Sequence, residues 1–132
     1  MLSTIDTRFF ITHFLADTNE LKLRTKNKMT ELQREGGIVP TIVLHEVYKL
    51  VTDIVGKDVA DLRVSSILKS NFNIIDLTSD IAILSAQIRN KYRDLPTADA
   101  IIAATAIISK SKLVFSDDPH FKSIKEIKTQ WL

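Results

Sequence analysis

Leu95-Pro96-Thr97-Ala98-Asp99-Ala100-Ile101-Ile102-Ala103-Ala104-Thr105-Ala106-Ile107-Ile108 carries one charge, Asp99, and from Ala98 onward one hydroxyl, Thr105. Pro96 suits the first position of a helix, where its missing N–H costs nothing, and the alanines after it are the best helix formers. A helix that is apolar on nearly every side belongs inside a protein. An ionised Asp in its first turn is then costly unless a partner or a metal neutralises it. The alternative is an outward-facing Asp that sits well against the positive end of the helix dipole. Three other acids in comparable settings favour the buried reading.

Outward from this helix, short β-branched runs alternate with helical stretches. Leu2–Ile5 is a strand leading into Asp6-Thr7, and a helix follows from Arg8 to Ala16. Thr18-Asn19-Glu20 caps a second helix, which Gly36-Gly37 closes because glycine tolerates the left-handed conformation past a helix end. Ile38–Pro40 is a strand, Thr41–Val55 a helix stopped by Gly56, and Lys57-Asp58 opens a helix ending near Ser70. Phe72–Leu77 is a third strand, and Thr78-Ser79-Asp80 caps a helix running to Arg93. Lys112–Ser116 is a fourth strand and Glu126–Leu132 a fifth. Such alternation means βαβ units: a three-layer α/β/α fold around a parallel sheet of four to five strands, formed by residues 1–132 as one domain.

Asp6 ends the first strand, where open α/β sheets bind ligands; it equally suits an N-cap for the next helix. In Thr41–Ile54 the core-facing helical offsets select Val43, Glu46, Val47, Leu50, Val51 and Ile54, all apolar except Glu46. A carboxylate inside a core stripe points to function. Asp117-Asp118 ends the fourth strand, and Pro119 makes a plain β-turn the competing reading. Acids with hydroxyls nearby favour the hard cations Mg²⁺ or Mn²⁺. His45-Glu46-Val47-Tyr48-Lys49 lacks the second histidine of the zinc motif H-E-x-x-H, and Gly56-Lys57 lacks the upstream glycine of a phosphate loop. His13 and His120, among aromatics and prolines, read as structural.

The chain contains no cysteine, which excludes disulfides, thiolate catalysis and Cys-based zinc sites. Hydrophobic residues make up 45% and charged residues 26%, the balance of a soluble globular protein. No apolar run reaches the length of a membrane span and no leader is read at Met1-Leu2-Ser3, so the expected setting is cytoplasmic. With 18 Lys and Arg against 16 Asp and Glu, gathering four acids into one pocket leaves the remaining surface at +6, which favours a polyanionic partner.

An acid in a strand-end Asp6-Thr7, Glu46 in an apolar helix, the run Leu95-Pro96-Thr97-Ala98-Asp99-Ala100 continuing to Ala106, and the late segment Ser116-Asp117-Asp118-Pro119-His120-Phe121 occur in an order that resembles the PIN-domain family, the fold of the VapC ribonuclease toxins. The resemblance covers essentially the whole chain. It implies an Mg²⁺- or Mn²⁺-dependent endoribonuclease, often the toxin of a VapBC-type pair, restrained by a cognate antitoxin and prone to pair as a homodimer. By this similarity Asp6, Glu46, Asp99 and Asp118 match the acidic quartet. Asp6, Asp99 and Asp118 are the expected metal ligands, and Glu46 the group that holds a water or a second ion. Ser116 stands where the family usually has Thr, Thr7 and Asp117 are possible outer contacts, and Arg8 departs from the Asn or Ser that often follows Asp-Thr. Carboxylates holding cations can activate water for phosphodiester hydrolysis.

An RNA substrate also needs a basic approach. Arg89, Lys91 and Arg93 around Tyr92, just before the Pro96 helix, suit phosphate contact with base stacking, or else form a solvated helix end. Lys22, Arg24, Lys26 and Lys28 make a second basic face with the same alternative. Phe9, Phe10 and Phe14 crowd one short helix, so a homodimer or antitoxin contact competes there with core packing. Against the nuclease stand a catalytically weak or inactive PIN-like module that binds nucleic acid or protein, and a phosphohydrolase of another α/β fold. The complete quartet opposes the first; the missing acid two residues after Asp6 opposes the second.

Overall fold

The computed structural model describes residues 2–132. Five strands and seven helices lie among them: β1 (Thr4–Ile5), α1 (Thr7–Phe14), α2 (Asn19–Arg34), β2 (Ile38–Pro40), α3 (Thr41–Val55), α4 (Lys57–Lys69), β3 (Asn73–Ile75), α5 (Ser79–Lys91), α6 (Thr97–Ile108), β4 (Leu113–Phe115), α7 (Pro119–Lys122) and β5 (Lys128–Gln130). All strand pairings are parallel, in the order β3-β2-β1-β4-β5, with helices on both faces, as the alternating pattern requires. Thr4 pairs with Ile38 on one side and with Val114 on the other, so β1 is central. From β1 the chain builds outward to β2 and β3, then returns to place β4 against the opposite side of β1. Strand order reverses at that point, and a crevice opens outside the carboxyl ends of β1 and β4.

α6 is the buried spine of the fold. Every residue from Asp99 to Ala106 is buried, and Thr105, its one interior hydroxyl, donates to the Ile101 carbonyl at 2.7 Å. It packs against α5 and contacts α3 and the central strands. Pro96 sits one position earlier than expected, as the residue preceding the first helical turn. The close of α2 divides between two glycines. Gly36 takes the left-handed conformation, with φ +76°, while at Gly37 a Cβ would stand 2.9 Å from Ile5 Cδ1 and 3.1 Å from the Leu32 carbonyl. Gly37 is therefore required for space and Gly36 for its dihedral angle.

Four sequence expectations change. β2 keeps the bounds read for it, Ile38–Pro40, but the other four strands are shorter than read: β1 is two residues long, β4 three, and β3 and β5 are the sheet edges, where pairing runs out early. The α3 stripe is narrower than read. Val43, Val47 and Val51 are fully buried, whereas Leu50 is 41% and Ile54 59% exposed. Residues four apart track one line down a helix, and the Glu46-Leu50-Ile54 line lies on the flank beside the buried one. The Asp-Pro segment is a short helix, α7, capped by Asp118 with Pro119 in its first turn. Finally, Phe9 and Phe10 are fully enclosed by the subunit's own core. Phe9 packs edge-on to Phe115 and Trp131, Phe10 edge-on to Phe72, and Phe14, half-buried, stacks on Phe10. That helix therefore offers no unpartnered aromatic face, and the ring cluster gives no reason for a homodimer contact there.

Candidate active site at the carboxyl edge of the sheet

Asp6 immediately follows β1 and caps α1. Its Oδ1 accepts from the Thr7 N–H at 2.8 Å and its Oδ2 accepts from the Ser116 hydroxyl at 2.6 Å. Both readings of this acid thus hold together, as cap and as strand-end carboxylate. The Ser116 Oγ also accepts from the Asp118 N–H at 3.0 Å, so the residue after β4 ties the two acids to one hydroxyl. The Thr7 hydroxyl donates to Glu46 Oε1 at 2.7 Å and anchors the α3 acid to the start of α1. Asp99 enters from the first turn of α6. His120 Nδ1 lies 3.1 Å from Asp99 Oδ2 and 3.0 Å from Asp118 Oδ1. A continuous run of polar contacts thereby links Glu46, Thr7, Asp6, Ser116, Asp118, His120 and Asp99. Four carboxylates from four separate segments converge outside the β1–β4 crevice.

The convergence has an electrostatic cost. Asp99 is pushed up to about 7, first by burial and then by repulsion from Asp118 and Asp6, with His120 opposing. Asp6 is pushed up to about 6 by burial; its bonds from Ser116 and Thr7 pull the other way, and Glu46 and Asp118 add repulsion. Near neutral pH this cluster holds more negative charge than its surroundings support. Relief comes from a proton or from a cation.

Arg8 borders the cluster and pairs through Nε with Asp117 Oδ1, holding that carboxyl below its ordinary range. Asp117 is thereby engaged outside the group around Asp6. Of the basic residues before α6, Arg89 donates Nε–H to the Leu95 carbonyl at 3.0 Å and ties the α5–α6 loop. Lys91 pairs with Glu126 at 3.2 Å, and Tyr92 donates to the same carboxylate at 2.6 Å. Arg93 shares a pocket with His120, lined also by Tyr92 and Ser123. On the other flank a cavity of about 380 Å³ runs between α3 and α6, lined by Ile42, Glu46, Leu50, Thr97, Ala98 and Ile101 among others. On α2, Lys28 reaches Glu31 and lies over the Phe115 ring, while Lys22, Arg24 and Lys26 are solvated.

His120, read from the sequence as structural, lies instead between two of the acids, its Nδ1 close to Asp99 and Asp118. The signal in the sequence is its place two residues beyond Asp118, which acquires a direction only once α7 forms. His13 is structural as expected: its Nδ1 meets the Thr25 hydroxyl at 2.7 Å and its ring stacks on Phe9.

The PIN-domain family model matches residues 4–127, and the chain belongs to the PIN-domain family. No curated protein matches it in sequence. Similar solved structures include VapBC2 from Rickettsia felis bound to a promoter DNA fragment, with 17% identity, 99% of this chain and 98% of that one covered, and a TM-score of 0.77. FitAcB from Neisseria gonorrhoeae matches at 25% identity over 98% of this chain and 96% of that one, with a TM-score of 0.75. VapC20 of Mycobacterium tuberculosis, a sarcin-ricin loop cleaving toxin, matches at 16% identity over 93% and 94%, with a TM-score of 0.76. The expected VapC-like fold is therefore the fold of this chain. No helix among the described residues is long and apolar enough to cross a membrane.

Proposed function

We propose that the chain is a divalent-metal-dependent endoribonuclease and the toxin of a VapBC-type toxin–antitoxin pair. The observation that carries this reading is the convergence of Asp6, Glu46, Asp99 and Asp118, with Asp6 and Asp99 raised first by burial and then by repulsion from neighbouring acids of the cluster, Asp118 among them in both cases. The donors are hard carboxylate oxygens with hydroxyls behind them, a set that fits Mg²⁺ or Mn²⁺. Asp6, Asp99 and Asp118 would hold the cation, which supplies Lewis-acid polarisation of the scissile phosphate and an acidified water.

The protein's own groups do the positioning. Ser116 fixes one Asp6 oxygen and the Asp118 backbone, so the β1 and β4 acids cannot separate. Thr7 holds Glu46 at the rim, where the carboxylate can accept a proton from the attacking water as its oxygen bonds to phosphorus, the bond from phosphorus to the leaving oxygen breaks and that oxygen takes a proton from solvent. Arg93, beside His120, is the basic residue best placed to meet the RNA backbone. The likeness to VapBC2 and FitAcB supports an antitoxin as the protein partner.

The test is cleavage of single-stranded RNA by the purified protein with Mg²⁺ or Mn²⁺. EDTA should stop it and Asp99→Asn should abolish it. An Asp99→Asn protein that cuts as well as the parent overturns the reading. RNA binding without any cleavage returns the inactive binding module.

A further inference from the structure

His120 is the second residue of α7, and its placement follows from the cap of that helix. Asp118 Oδ1 accepts from the His120 backbone N–H at 3.0 Å, which holds the first turn of α7 against the capping carboxylate. Nδ1 then stands 3.0 Å from Asp118 Oδ1 and 3.1 Å from Asp99 Oδ2. The side chain is 48% exposed, so core packing does not put it there. One donor atom from each of Asp99, Asp118 and His120 lies within 4.8 Å of the others. Octahedral coordination at about 2.1 Å spaces neighbouring donor atoms about 3.0 Å apart. Nδ1 keeps that spacing from both carboxylate oxygens.

This inference rests on the cation reading of the site and deepens it. An all-oxygen donor set accommodates Mg²⁺ readily. One imidazole nitrogen favours Mn²⁺ and the later divalent metals of its row over Mg²⁺. We propose that His120 is a nitrogen ligand to the cation held by Asp99 and Asp118, and that it sets the site's preference for Mn²⁺ over Mg²⁺. His45, which neighbours Glu46 in sequence and lines the opposite flank, is the natural control.

Pulsed electron paramagnetic resonance of the full-length protein loaded with Mn²⁺ tests this without reference to activity. The expected spectrum shows a directly bound ¹⁴N that converts to ¹⁵N when the protein carries ¹⁵N-histidine. The coupling disappears in His120→Asn and persists in His45→Asn. By equilibrium titration, His120→Asn should lower Mn²⁺ affinity by about tenfold or more while Mg²⁺ affinity changes less than about twofold. His120→Gln, which can still hydrogen-bond to both carboxylates, should behave as His120→Asn does. Mn²⁺ bound in an Asp99-dependent way but without nitrogen coupling overturns the role of His120 and leaves the cation site standing. Coupling lost in His45→Asn instead, or full Mn²⁺ affinity in His120→Gln, also overturns it. Mn²⁺ that fails to bind, or binds equally to Asp99→Asn, overturns both readings.

Discussion

α3 and α6 each deliver one carboxylate to the same site, from opposite packing situations. α6 is enclosed, and Asp99 is buried with it; that charge is poorly hydrated, and its proton is held up to about 7. α3 buries one line of valines and leaves its flank open. Glu46 stays half-buried on that flank, its Oε1 fixed by the Thr7 hydroxyl at 2.7 Å. The difference teaches that a buried acid is poised for a cation, whereas a rim acid in contact with water is suited to handling a proton. If that division is right, the two acids should respond differently to the same amide substitution.

Asp99→Asn should give the largest effect: a loss of cleavage of about three orders of magnitude, roughly 4 kcal/mol of transition-state stabilisation, measured as kcat/KM on single-stranded RNA. The metal-free variant should unfold at a higher temperature than the parent, because removing one charge relieves repulsion among the remaining acids. Glu46→Gln should cost less, about tenfold to a hundredfold, or roughly 1.4–2.7 kcal/mol, with Mn²⁺ affinity nearly kept. Equal losses in both variants, with equal loss of metal binding, would erase the division.

The packing side of the comparison can be broken separately. Val47→Ala removes methyl groups from the closed line of α3 and should cost about 2 kcal/mol in denaturant unfolding. Ile54→Ala on the open flank should stay within about 0.5 kcal/mol. Similar costs at the two positions would mean that the flank is covered in solution.

The same division extends to pH. Asp6 and Asp99 keep protons to about 6 and about 7 in the folded protein, above the ordinary value of 3.8. The folded state therefore binds more protons than the unfolded chain across that window. Its stability from these groups is present below about pH 4 and lost as pH rises to 7. Thermal unfolding of the metal-free parent and of Asp6→Asn/Asp99→Asn should diverge across that range, with the variant increasingly the more stable. Parallel curves would contradict the raised pKa values.

The α/β alternation and the four converging acids were legible because each acid carried a local signal. Asp6 and the Asp117-Asp118 pair ended β-branched runs, the family resemblance choosing Asp118 of the two, and Asp99 and Glu46 interrupted apolar helices. What was not legible depends on tertiary contact. Leu50 and Ile54 fit a helical stripe, yet no pattern says how wide a stripe the neighbours will cover. Phe9 and Phe10 looked like surplus apolar surface because Phe115, Phe72 and Trp131, which enclose them, lie far off in sequence. Arg89 reads as a free cation until the α5–α6 loop brings the Leu95 carbonyl to it. α7 has four residues, too few for periodicity, so a turn competes with the site reading at Asp117-Asp118 and His120 reads as structural.

The central claim is that Asp6, Asp99 and Asp118 form one cation site with Glu46 at its rim, and thermal unfolding with and without Mn²⁺ tests it most directly. At a hundredfold excess over its dissociation constant, Mn²⁺ should stabilise the protein by about 2.7 kcal/mol, a rise in Tm on the order of 10 °C for a chain of this size. The rise should vanish in Asp6→Asn/Asp99→Asn. No shift in the parent, or the same shift in the double variant, would contradict the account.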